Sequence, residues 1–184
     1  MMTLLNPFTY RGPMKSTLHL LFATVLLSAT LYAGGSPQNN TPRSEDSRKT
    51  RPVRIFNPDT MAKPTAGYSQ VAEVTGGKIV YIAGQVALDR SGNLVGKDDF
   101  RAQLQQVFEN LKAAVESAGG SFSDVIKLNY YCAESVDPSQ MPTAREIRDQ
   151  YVNTANPPTS TFVVIKRLVR PEWLVEVDAV AVVR

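Results

Sequence analysis

Residues 173–183 read Trp173-Leu-Val-Glu-Val-Asp-Ala-Val-Ala-Val-Val183, and this stretch decides the class of fold. Its odd positions, Trp173, Val175, Val177, Ala179, Ala181 and Val183, are all apolar, whereas the even positions set Glu176 and Asp178 between Leu174 and Val180. Side chains alternate across a β-strand, so this is a strand with one wholly apolar face and two carboxylates pointing together from the other. A carboxylate on so hydrophobic an element is expected to have a raised pKa from desolvation, or a partner that offsets the burial. An ion pair or edge charge is the structural reading of Glu176 and Asp178, and a general acid or base is the chemical one.

The rest of the fold follows outward from that strand. Ser160–Arg167 and Val125–Cys132 are β-rich runs, and a short helix from Pro142 through Ile147 to Tyr151 separates them, with proline suited to a first turn. Further upstream, apolar residues recur at Phe100, Leu104, Val107, Phe108, Leu111, Ala114, Val115 and Ala118, the three- and four-residue steps of one helical face. Asp98 and Asp99 stand at its start and Gly119-Gly120 at its end. Gly76-Gly77 lies between Tyr68–Thr75 and Lys78–Ala83 and predicts an antiparallel hairpin, since tight turns need the positive φ that glycine supplies. The order strand, strand, helix, strand, helix, strand, strand describes an α+β domain with two helices packed on one face of a mixed sheet. No GxGxxG or GxxxxGK[ST] string offers a phosphate cradle.

The N-terminal third reads differently. Met14-Lys15, an apolar run from Leu18 to Ala33 and a small-residue exit at Gly34-Gly35 are the parts of an export signal. A membrane-spanning helix needs roughly 20 apolar residues, and this run is shorter and broken by His19, Thr24, Ser28 and Thr30. The expectation is a signal peptide over 1–33, with Met14 favoured as the start of translation. Next come a flexible linker over 34–54, rich in Ser, Asn, Thr, Pro and mixed charge, and a folded domain over 55–184. The protein is then exported, periplasmic or secreted, with no stable membrane anchor.

Composition narrows the chemistry. The only histidine is His19, inside the leader, so the mature chain has no imidazole for a Ser/His/Asp triad, a Cys/His pair or a His-ligated metal. Acid and base work falls to carboxylates, Lys or Tyr. The single cysteine, Cys132, permits neither an intrachain disulfide nor a CxxC site and reads as a small buried apolar residue. Two of the twenty basic residues, Arg11 and Lys15, precede residue 34, where no acidic residue stands, and the remainder carries only +1. Such a balance gives no electrostatic argument for nucleic acid.

Several strings together resemble one family. Tyr68-Ser-Gln70, Tyr81-Ile-Ala-Gly-Gln85, Ala-Gly-Gly120 followed by Asp124-Val-Ile-Lys127, Pro157-x-x-Ser160 and Val175-Glu-Val-Asp-Ala-Val-Ala181 resemble the Rid (reactive intermediate deaminase, YjgF) family in order and spacing. The resemblance implies a chorismate-mutase-like fold, a homotrimer with small-metabolite clefts between subunits, and no cofactor or metal. It also implies hydrolysis of an enamine or imine to a carbonyl compound and ammonia. Carried over position by position, the water-activating glutamate falls on Glu176, the pocket-closing tyrosine on Tyr68 and the backbone contact on Gly84-Gln85, with Ala83 in place of the usual serine. The substrate-clamping arginine is absent: its position is Thr159, and Thr161 replaces a frequent cysteine. Threonine offers one hydroxyl where arginine offers a charged fork, which costs about 3 kcal/mol in a desolvated cleft. Arg167, Arg170, Arg145 and Arg148 are the cations that could restore the charge. The alternative function is a non-catalytic small-molecule-binding module of the same fold. A ribonuclease reading, attached to some relatives, has neither histidine nor basic surplus behind it.

Overall fold

The computed structural model describes residues 52–184, so the leader and the linker up to Arg51 lie outside the described residues. The elements are β1 (Val53–Phe56), β2 (Val71–Val74), β3 (Lys78–Gln85), α1 (Phe100–Ser117), β4 (Val125–Ala133), α2 (Met141–Arg148), β5 (Thr159–Ile165) and β6 (Val175–Val183). No helix among the described residues is long and apolar enough to cross a membrane.

The alternating stretch becomes β6, an inner strand of a four-stranded sheet ordered β3-β6-β4-β5. It runs antiparallel to both neighbours, while β4 and β5 are parallel, so the sheet is mixed. A parallel pair cannot be closed by a tight turn, and α2 occupies the connection that the geometry demands. The odd positions of β6 face the helices: Val175, Val177 and Ala181 are fully buried, together with Leu104, Val107, Phe108, Leu111 and Val115 of α1. Burying each such leucine or valine contributes about 1.5–3 kcal/mol, so this layer is the main source of stability. Asp99 caps α1 by accepting from Ala102 N at 3.0 Å, and Gly119 follows the C-terminus at φ +86°. The fold is the α+β arrangement expected, two helices on one face of a mixed sheet.

The hairpin expected around Gly76-Gly77 does not form. β2 pairs instead with β1, Val53 opposite Val74 through Phe56 opposite Val71, in a separate two-stranded sheet, and β3 pairs with β6. The glycines serve a close approach rather than a two-residue turn. A Cβ on Gly77, at φ +101°, would lie 2.7 Å from Val182 Cγ1, and Thr75 N donates to Pro52 O at 2.8 Å, drawing the chain toward β1. β1 straddles the expected boundary between linker and domain, so Val53 and Arg54 stand in a strand; four residues are too few to show a period.

Candidate active site

With α1 and α2 covering one face of the sheet, the other is left open, and cross-strand register arranges it in three rungs across β6, β4 and β5. The first is Glu176–Tyr131–Val163, the second Asp178–Asn129–Thr161 and the third Val180–Lys127–Thr159. Tyr81 of β3 extends the third rung beside Val180.

The two carboxylates of β6 have different surroundings. Asp178 acquires the partners that burial called for: Asn129 Nδ2 donates to Oδ1 at 2.8 Å and the Tyr131 hydroxyl donates to Oδ2 at 3.1 Å. That hydrogen bond, with the charge of Asp178 and some desolvation, raises the Tyr131 pKa, and the charge of Glu176 adds to it. Glu176 is half-buried and has no hydrogen bond or ion pair to any described residue.

Glu176 is seated by a glycine. Ile82 pairs with Ala179 and Gln85 with Val177, so β3 carries one extra residue in a bulge over Ala83-Gly84. A Cβ at Gly84 would fall 2.7 Å from Glu176 Cδ and closer still to Oε1, so the glutamate occupies the space that a side chain would fill. Gln85 turns its amide back, Nε2 donating to Ala83 O at 3.0 Å. On the other face, Gln103 of α1 is fully buried and fixes the approach to β6. Its Nε2 donates to Gly96 O and Glu172 O, and its Oε1 accepts from Leu174 N at 2.8 Å, two residues before Glu176.

The remaining expected residues lie at the far end of the open face. Ser69 bridges to Thr159 and its N donates to Pro158 O at 3.2 Å, which brings half-buried Tyr68 beside the start of β5. The Thr159 hydroxyl donates to Ile126 O at 2.9 Å. Thr161 is exposed one rung along. Thr159 lies two strands across and four residues along from Glu176, on the order of 16 Å within one copy. The structure thus gathers Glu176, Gly84 and Gln85 at one end, and Tyr68 and Thr159 at the other.

None of the four arginines considered for the missing charge reaches Thr159 from the open face. Arg167 Nη1 donates to Leu168 O and Val169 O, and Arg170 lies over the Trp173 ring at 5.4 Å. Arg145 and Arg148 both pair with Asp149 on α2, and Arg148, itself buried, also donates to Ala66 O. Cys132 is fully buried, and burial pushes its thiol up to about 11, so it packs rather than reacts. Among the described residues no group of three or more His, Cys, Asp or Glu could hold a metal ion.

Sequence reasoning missed Lys127, Asn129, Tyr131 and Gln103. The signal for the first three was present: in Val125–Cys132, polar Lys127, Asn129 and Tyr131 alternate with Leu128, Tyr130 and Cys132, all buried. Gln103 was masked by the apolar helix face around it.

The family model described as Endoribonuclease L-PSP matches residues 59–183. A 2-iminobutanoate/2-iminopropanoate deaminase of Dermatophagoides farinae is 31% identical over 110 residues, 60% of this chain and 82% of the relative. The 3-aminoacrylate deaminase RutC of Acinetobacter baylyi is 30% identical over 130 residues, 71% of this chain and 98% of the relative. Among solved structures, a Rid-family protein of unknown function from Yersinia pestis superposes with a TM-score of 0.64 at 32% identity, covering 72% of this chain and 99% of the other.

Proposed function

Because the chain belongs to the Rid (YjgF) family, whose model is described as Endoribonuclease L-PSP, we propose that it hydrolyses small enamines or imines to a carbonyl compound and ammonia, with Glu176 acting on the water. The observation that carries this reading is the contrast on β6. Asp178 is held by two donors, while Glu176, one rung away, is half-buried, seated over Gly84 and unpaired among the described residues. Its carboxylate would take a proton from water as the oxygen bonds to the C=N carbon, which an enamine acquires by protonation at carbon, and would pass that proton to the nitrogen. The remaining hydroxyl proton follows it as the nitrogen leaves. Breakage of the C–N bond then releases ammonia and leaves the carbonyl.

The site is completed between copies. Its two ends lie about 16 Å apart in one chain, too far for one small metabolite. The open face also exposes apolar side chains that a lone subunit would leave in water, Tyr81 at 79% and Ile79 at 50%. A homotrimer whose subunit boundaries join the Glu176 end of one copy to the Tyr68 and Thr159 end of the next accounts for both. Residues 1–33 would direct export and be removed, which N-terminal sequencing of the exported protein checks.

The test generates imines in situ with an amino-acid oxidase and follows their loss with wild type and Glu176→Ala. Wild type should accelerate the loss, and the variant should lose at least about a hundredfold of that rate while keeping its oligomeric mass. The second reading, a binding module without catalysis, is favoured by Thr159, whose hydroxyl is already donated to Ile126 O. Saturable ligand binding with no acceleration of any imine would establish it and remove the enzyme.

A further inference from the structure

The imines named for the relatives are carboxylates, and a desolvated carboxylate needs a cation. The third rung supplies one that is not arginine. Lys127 of β4 stands in parallel register with Thr159 and opposite Val180 of β6, half-buried, on the face that carries Glu176. It has no ion pair or side-chain hydrogen bond to any described residue, whereas Arg145 and Arg148 are matched by Asp149 beyond the other face of the sheet. Lys127 and Thr159 line one open hollow of about 450 Å³ with Gln70, Ile79 and Tyr81. An ammonium with no anionic partner among the described residues therefore stands beside the position where the family pattern would set the guanidinium.

We infer that Lys127 is the cation that binds the ligand's carboxylate at this site and makes it select anionic over neutral metabolites. This rests on the small-metabolite cleft proposed above, but not on turnover. The chemistry differs from an arginine clamp. Arginine presents a planar fork that fixes a carboxylate through two parallel hydrogen bonds, whereas lysine presents a point charge on a flexible stem. Charge is selected while orientation is left loose, so the cleft should accept a range of short 2-oxo and 2-imino acids rather than one.

Calorimetric titration of the full chain with 2-oxobutanoate and with its neutral amide tests this. Lys127→Met should weaken 2-oxobutanoate at least about tenfold and leave the amide unchanged, while Lys127→Arg should hold the carboxylate close to wild type. Adding Thr159→Arg to Lys127→Met should return carboxylate binding, which a merely misfolded variant would not show. The inference is overturned if Lys127→Met binds 2-oxobutanoate like wild type, if carboxylate and amide weaken together, or if wild type shows no saturable 2-oxobutanoate binding. Turnover is read separately. An inactive wild type whose carboxylate binding still depends on Lys127 removes the deaminase and keeps the cation; an active enzyme indifferent to Lys127→Met does the reverse.

Discussion

One face of β6 is sealed by α1 and the other is open, and alternate residues of the same strand serve the two. On the sealed face Val175, Val177, Ala179 and Ala181 are at most 2% exposed, interchangeable in kind and valuable for their volume. On the open face Glu176, Asp178 and Val180 differ from one another, and each has a specific cross-strand neighbour. A strand can therefore carry stability and chemistry together without conflict, because the pleat sends them in opposite directions.

The largest effect separates the faces by stability. Phe108 is fully buried, stacked on Phe122 at 5.6 Å between ring centroids, and Phe108→Ala should cost about 3–5 kcal/mol in denaturant titration. Tyr81→Ala on the open face should cost less than about 0.5 kcal/mol in the subunit itself and act instead on oligomeric mass, read by light scattering. Equal costs at the two positions would mean that the open face is packed within the subunit, and the comparison would fail.

The sealed face was legible from the sequence because burial needs only a period. The steps in Phe100–Ala118 and the alternation in Trp173–Val183 mark α1 as a helix with one core face and β6 as a strand with another, without any knowledge of pairing. The open face was legible only in part. Glu176 and Asp178 could be placed on one side of one strand, but Asn129 and Tyr131, which settle Asp178, and Lys127, which sits beside Thr159, depend on register across β4. Periodicity does not specify register; it follows from how whole strands align. The pairing of β2 with β1 was missed for the same reason, since Gly76-Gly77 fits a close approach to Val182 as well as a turn.

A smaller effect tests the seat of Glu176. Gly84→Ala puts a methyl group where the glutamate's carboxyl lies, and a half-exposed side chain can rotate away at little cost to folding. Stability should change by less than about 1 kcal/mol while imine turnover falls about a hundredfold, or ~2.7 kcal/mol of transition-state stabilisation. Added to Glu176→Ala, the same substitution should do nothing more, because the group it displaces is gone. A full additional loss in the double variant would assign Gly84 a role of its own, such as presenting its backbone N–H to the ligand.

The smallest effect reads the charge balance of the open face through one phenol. The hydrogen bond to Asp178, then its charge, desolvation and the charge of Glu176, hold the Tyr131 pKa above the ordinary 10.0. The folded state keeps its proton where the unfolded state has begun to lose it. This contribution to stability is therefore fully present below pH 10.0 and is lost as pH rises through the folded-state value. The phenolate difference spectrum between wild type and Tyr131→Phe isolates this group among the seven tyrosines of the chain. Asp178→Ala should move its titration back toward 10.0 by removing both the leading hydrogen bond and the larger charge, whereas Glu176→Gln should move it only slightly. If Glu176→Gln produced the larger return, Tyr131 would belong to Glu176 instead, and the glutamate would no longer be the unpaired carboxylate on which the hydrolytic reading depends.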